Sequence, residues 1–284
     1  MTESVLVIKP NQDLEIRSKT NLTSEDIFKG HVHENDTNVY TILERSVFTL
    51  SKREGSFYDI RSMSGLINKI HLVDFPHGQY FLQIHGMNVA TAKLENGQYV
   101  FNLDSDKRSH TLTSLIGATL TAYDEFVPDR HKYVNFSRVE NIRILTPQPL
   151  ETAMIVKLEG LFHNDYEWAH NIVPYTLYPN EMIFNHKNIA RRMILTSEKE
   201  ENVYIRMAGR VYGPIPTNSK GQIVEFEGFD IIKSLKSKYI PDNSKCMPFN
   251  RMGSIGIISS QEIEITVFSY ETYTMDSLMP VFSM

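Results

Sequence analysis

The chain has 284 residues, with 29 Lys+Arg against 34 Asp+Glu, a formal net charge of −5 and a sequence pI of about 6.1. Its 41% hydrophobic and 11% aromatic residues exclude a disordered chain. Its negative balance gives no general attraction to nucleic-acid phosphate, and its single cysteine, Cys246, excludes an intrachain disulfide or a multi-cysteine metal centre.

No run approaches the roughly 20 apolar residues of a membrane helix. The opening Met1–Lys9 lacks the basic stretch and long apolar stretch of a secretory signal, so the expectation is a chain made in the cytosol, with no transmembrane segment. The length fits one large domain or two of about 140 residues.

Short alternating or β-branched segments predict strands at Val5–Lys9, Leu14–Arg17, Val39–Leu43, Val47–Ser51, Ile67–Val73, Gln79–His85, Tyr99–Leu103, Val139–Leu145 and Met154–Leu158. A second set follows at Arg192–Thr196, Val203–Ala208, Ile223–Phe226, Ile255–Ser259 and Ile263–Phe268. Turn residues punctuate them: Glu54-Gly55, Asn96-Gly97, Pro214 and Pro216, Lys220-Gly221 and Pro241-Asp242. Helical signals are few. Phe229–Tyr239 brings Ile231, Ile232, Leu235 and Tyr239 near one face. Thr111–Tyr123 reads as a helix or a pair of short strands, with its β-branched content and Gly117 favouring strands. The expected fold class is all-β, with few short helices, in the pattern of sandwiches and barrels.

An internal repeat organises these elements. Ile67–Val89 aligns without gaps on Ala190–Tyr212 at an offset of about 123 residues. The apolar positions match as Ile70/Met193, Leu72/Leu195, Phe81/Tyr204, Leu82/Ile205 and Ile84/Met207, and Gly86 falls on Gly209. Gly97-Gln98 then matches Gly221-Gln222, each leading into a strand, and Val139–Ile144 parallels Gln261–Ile265. The shared pattern is a hairpin whose first strand ends at a glycine able to take positive φ. Thr146-Pro147-Gln148-Pro149 lies between the copies, and proline disfavours continued strand pairing. The expected organisation is therefore two tandem antiparallel β-sandwiches, residues 1–147 and 148–284.

Candidate sites are sparse. His31-Val32-His33 places two imidazoles on one face of an extended segment, the spacing of a two-histidine metal site such as that of cupins. Thr37 and Asn38 stand where the cupin pattern expects a glutamate, so His31 and His33 are weak candidates and a metal is not expected. There is no Gly-x-Ser-x-Gly elbow, phosphate loop, dinucleotide fingerprint or His-Glu-x-x-His. No catalytic residue and no cofactor are assigned, and the chain is not expected to be an enzyme. Phe162–His170 combines the only tryptophan, Trp168, with Tyr166, histidines and acids. Such a cluster serves as core packing, a glycan platform or an interface anchor. Arg191-Arg192 at a strand start reads as a solvent-facing or subunit-facing pair, able to hold an acidic neighbour or a phosphate.

The segments Ile67–Leu72, Gln79–Gly86 and Gln98–Leu103, with the run Phe136–Leu145, resemble viral jelly-roll capsid sequences. With the duplication, the chain is similar to a compact double jelly-roll major capsid protein, though short for that family. The resemblance implies two jelly rolls, self-association as a homotrimer, higher shell assembly with other capsid proteins, and location in the virion. It implies no direct contact with nucleic acid, which agrees with the acidic charge and the lack of a basic arm. A non-enzymatic glycan- or receptor-binding β-sandwich remains the alternative, and a cupin-like metal enzyme a lesser one.

Overall fold

A computed structural model of the chain describes residues 4–10, 14–18, 40–51, 55–60, 65–104, 132–136, 139, 142–164, 167–186, 188–207, 209–229, 247–249 and 255–273. Among these residues the elements are strands, and the protein is all-β. The Thr111–Tyr123 segment and all but the first residue of Phe229–Tyr239 lie outside the described residues.

The chain forms two compact units. One combines Met1–Lys52 with Met182–Met284, and the other is Arg53–Glu181. The predicted break at 147/148 falls inside the second unit. There the Thr146 N–H donates to the Ser56 carbonyl at 2.7 Å, and the Leu150 N–H donates to the Tyr58 hydroxyl at 2.5 Å. These bonds tie the Pro147–Pro149 stretch to the strand that opens the unit, so the prolines mark a turn within a sandwich.

The Arg53–Glu181 unit is built from two sheets. Its four-stranded sheet runs β4 (Phe57–Ile60), β11 (Ile142–Leu145), β6 (Phe81–Ile84), β7 (Met87–Thr91). Its six-stranded sheet runs β13 (Glu167–Leu177), β12 (Met154–Asn164), β5 (Leu66–Val73), β9 (Gln98–Asn102), β8 (Lys93–Glu95), and β10 (Val134–Asn135) pairs with β5. Alternate residues of both sheets meet in one core: Leu72, Ile70, Phe101, Val156, Leu158 and Tyr175 from the larger sheet face Leu82, Ile84, Ile142 and Ile144 from the smaller.

The other unit repeats this plan. Its four-stranded sheet runs β14 (Glu181–Phe184), β20 (Ile255–Ile258), β16 (Glu201–Met207), β17 (Arg210–Thr217). Its seven-stranded sheet runs β2 (Glu15–Ser18), β1 (Ser4–Ile8), β18 (Gln222–Phe226), β15 (Ile189–Ser197), β21 (Ile263–Tyr273), β3 (Tyr40–Leu50), and β19 (Met247–Pro248) pairs with β15. Here Leu6, Met193, Leu195, Phe226, Ile265 and Val267 meet Phe184, Val203, Ile205 and Ile257. The strand orders correspond one to one: β4-β11-β6-β7 to β14-β20-β16-β17, and β12-β5-β9 to β21-β15-β18. Each unit is thus a sandwich of a four-stranded sheet and a larger one.

The aligned repeat sits at equivalent places. Leu72 and Leu195, Leu82 and Ile205, and Ile84 and Met207 all point into their own cores. Gly86 (φ 79°) turns β6 into β7, and Gly209 (φ 75°) turns β16 into β17. The third aligned segment does not correspond. Ile142–Ile144 lies in β11 of a small sheet, whereas Ile263–Ile265 lies in β21 of a large one. The equivalent of β11 is β20, because alternation of apolar residues is common to every strand and does not identify which strand is matched.

Several predicted elements change. Val39–Leu43 and Val47–Ser51 are one strand, β3, running through Glu44-Arg45-Ser46. Pro214 and Pro216 lie within β17 rather than in a turn. β17 is the outer strand of its sheet, so a missing N–H leaves no ladder bond unmade on the solvent side.

Candidate functional site

In β12, Val156 and Leu158 enter the core, so Ile155, Lys157 and Glu159 lie on the opposite, outer face of the six-stranded sheet. On this face β13 contributes His170 and Ile172, with Glu159 directly opposite Ile172, and β5 contributes Lys69 and His71. Glu159 gathers three basic side chains. His71 Nε2 is 2.8 Å from its Oε2, His170 Nε2 is 3.5 Å from Oε1, and Lys69 Nζ is 3.7 Å from Oε1. Burial alone would raise the Glu159 carboxyl. The His71 hydrogen bond and the charges of Lys69, His71 and His170 outweigh it and hold the group below the ordinary carboxylate range. Ile155 and Ile172 stand beside this cluster 46% and 48% exposed. The arrangement is an open mixed patch, apolar with a charged centre, of the kind that interfaces use. Among the described residues no group of three or more His, Cys, Asp or Glu side chains is arranged to hold a metal ion.

Trp168 belongs to the same face of β13. It stands opposite His163 in the β12–β13 hairpin, in alternation with His170 and Ile172, and is half-buried. Tyr166, His31 and His33 lie outside the described residues. The two arginines part company. Arg191 is half-buried, while Arg192 is buried on β15 and directly opposite Glu225 on β18. Arg192 Nε donates to Glu225 Oε1 at 2.9 Å, and its Nη2 donates to the same oxygen. Arg192 is thus an internal cross-strand partner, not a solvent-facing group: it lies on the face of β15 opposite the Met193 core, and there Val5, Val7 and Glu225 are themselves buried.

A further charge network lies at the β1–β2 edge. Arg17 Nε donates to Glu15 Oε1 at 2.6 Å, its Nη2 to Glu15 Oε2 at 3.0 Å and its Nη1 to Glu227 Oε2 at 2.6 Å. Lys9 Nζ lies 2.6 Å from Glu15 Oε2. The Arg17 hydrogen bonds, with Lys9, hold the Glu15 carboxyl at about 2, and Arg17 likewise lowers Glu227. On the small sheet of this unit, Glu201 accepts from the Ser259 hydroxyl (2.7 Å), the Ser260 N–H (3.1 Å) and the Ser260 hydroxyl (2.8 Å), fixing the turn between β20 and β21.

A recess in the Arg53–Glu181 unit is lined by Gly55, Phe57, Tyr58, Asp59, Leu177 and Tyr178. Glu181 and Asp59 are its acids; Asp59 accepts from Arg143 Nε at 2.9 Å, and the Arg143 guanidinium lies 5.0 Å from the Phe57 ring centre. This is a held pair rather than a poised acid. The Glu159 cluster had no signal in the sequence: Lys69, His71, Glu159 and His170 come from three strands and converge only when β12 pairs with β5 and β13.

No family model matches the chain, and no curated protein matches it. Two solved structures resemble it. One is the major capsid protein P2 from Bacteriophage PM2, at 10% identity, covering 81% of this chain and 98% of that one with a TM-score of 0.18. The other is a structure of Sulfolobus Turreted Icosahedral Virus, at 11% identity, covering 86% and 93% with a TM-score of 0.14. The likeness is a weak, capsid-like one, and at these TM-scores it carries no argument about function.

Proposed function

We propose that this chain is a structural, non-enzymatic subunit of a viral capsid shell that self-associates into symmetric oligomers. One observation carries the reading: two β-sandwiches whose central strands follow the same order occur in one chain, as two jelly rolls would. Two alike, rigid bodies per subunit supply repeated faces for symmetric assembly, and sandwiches present loops and sheet faces to neighbours without exposing their cores. An internal duplication at the offset of about 123 residues explains the correspondence of the aligned hairpins. A homotrimer, higher assembly with other capsid proteins and location in the virion follow from the same reading. With a net charge of −5, the shell contacts its genome indirectly.

Light scattering on the size-separated full chain, with electron microscopy of the largest fraction, tests this. A trimer or a closed shell is expected. A monomer at every concentration overturns the reading. Trp168 on an open sheet face favours the glycan-binding alternative, and a glycan array positive for the parent and negative for Trp168→Ala would replace the shell reading with that one.

A further inference from the structure

Among the described residues the four sheets have eight margins, and they are not guarded alike. Five are short: β2, β4 and β14 have four residues each, β7 has five and β8 has three. Two longer margins carry proline. β17, with eight residues, holds Pro214 and Pro216. β13, with eleven, holds Pro174, and next to it the Ile172 N–H donates to the Asn171 side-chain oxygen at 2.8 Å. The eighth margin is β3, eleven residues with neither proline nor glycine. Short, proline-bearing or side-chain-capped margins refuse a further strand, and a long plain one accepts it.

The inner side of β3 is paired along its whole length with β21. Phe48 and Leu50 pack onto the core of the Met1–Lys52/Met182–Met284 unit, Phe48 meets Phe184 edge-on at 5.2 Å, and the Ser51 hydroxyl donates to Glu262 Oε2 at 2.6 Å. The strand is therefore held in place. Its outer side carries backbone N–H and C=O groups to which no strand pairs among the described residues. On the sheet face away from the core, Arg45, Val47 and Thr49 are all exposed, Val47 by 50%.

Pairing through a margin needs a free margin in return. Among the described residues β3 is the only long unguarded one that a second copy can offer, so two copies join through this sheet as β3 against β3. A two-fold axis through the margin makes that pair antiparallel and keeps like sheet faces together. Centred on Val47, the register sets Val47 against Val47, Arg45 against Thr49 and Ser46 against Phe48, and no like charges meet. Centred on Arg45, it would oppose two guanidinium groups.

We infer that the free edge of β3 is an interface between two copies of this chain, paired β3 to β3 and antiparallel about Val47. The inference rests on the shell-subunit reading and names one contact of the shell. A trimer closes on itself, so a shell needs a second kind of contact to join trimers. A two-fold β3 pair supplies it without opening either chain.

Directly opposed residues of an antiparallel pair have Cα atoms about 4.5–5.5 Å apart, within disulfide reach. In this register Arg45 and its copy are four residues out of step, about 13 Å along the strand. The full chain carrying C246S is prepared unaltered and with V47C, R45C or V47K, sized by light scattering, and the cysteine variants are oxidised. A disulfide-linked dimer on a non-reducing gel is expected from V47C, at least tenfold more than from R45C. V47K puts like charges face to face at the two-fold axis and should give a smaller species than the parent. Because Val47 is half exposed, its denaturation midpoint should stay at the parent's value. The inference is overturned if oligomers form while V47C stays uncross-linked, if R45C cross-links as readily, or if V47K assembles like the parent. Those outcomes leave the shell reading standing and give the edge to a segment of another protein or to none. A C246S parent that is monomeric at every concentration overturns both.

Discussion

The two large sheets share a strand order but not an environment. At offset 123 the outer-face position of the first strand in the repeat carries a cation in both: Lys69 in β5 and Arg192 in β15. Around Lys69 the face is open, with Ile155, Lys157, His170 and Ile172 exposed and Lys69 3.7 Å from Glu159 at its nearest. Around Arg192 the face is dry. Val5 and Val7, on this face by alternation, are 1% exposed, and the Arg192 and Glu225 side chains are 6% and 11% exposed. The same fold therefore presents one sheet face as surface and the other as interior, and an ion pair at equivalent positions acquires a different weight in each.

Mutation of the two pairs should separate them most. Arg192→Met leaves Glu225 buried without its cation and should cost about 3–5 kcal/mol by chemical denaturation, while Arg192→Met/Glu225→Leu should recover most of that loss. If the single substitution costs no more than a surface change, the dry face is wrong. Next in size, Leu72→Ala and Leu195→Ala remove equivalent core side chains and should each cost roughly 2–5 kcal/mol, with hydrogen exchange accelerating in the strands of the mutated unit only. Equal acceleration in both units would contradict two separate cores.

Glu159→Gln on the open face should cost only about 1 kcal/mol, and added salt should shrink the difference from the parent. The smallest effect concerns acid. Glu15, Glu227 and Glu159 are all lowered in the fold, so the stability they contribute is present above the ordinary carboxylate value of 4.5 and is lost as pH falls toward about 2. Arg17→Met should flatten that acid limb in a denaturation series, because it removes the main partner of Glu15 and Glu227. An unchanged limb would assign acid sensitivity elsewhere.

The sequence made the class of fold readable because strands with one buried face alternate, and β1, β5, β9, β15, β18 and β20 fall where alternation or a β-branched run places them. Chain-remote pairing stayed hidden. β13 carries no strand signature: its start falls in the aromatic and polar cluster Phe162–His170, and its Pro174 does not look like a strand interior. Both are accommodated because β13 lies at the sheet edge, where Pro174 opposite Lys157 costs no bond on the solvent side. The division into units was missed for the same reason. Proline punctuation reports local chain direction, whereas the true boundaries are set by β3 joining β21, about 220 residues away along the chain. Arg192 was legible as a group able to hold an acid, but Glu225 as that acid needed the β15–β18 register.

The edge at β2 has a consequence of its own. β1 joins β18 in parallel and β2 closes the sheet with only four residues, carrying Glu15 and Arg17 in a lattice of charge with Lys9 and Glu227. Short, charged edge strands resist the addition of further strands. The seven-stranded sheet is thus one-sided as a template. The opposite margin is β3, 11 residues long and paired along its whole length with β21, so a strand arriving from outside is resisted on the β2 side, and any further pairing through this sheet has one direction only, outward from β3.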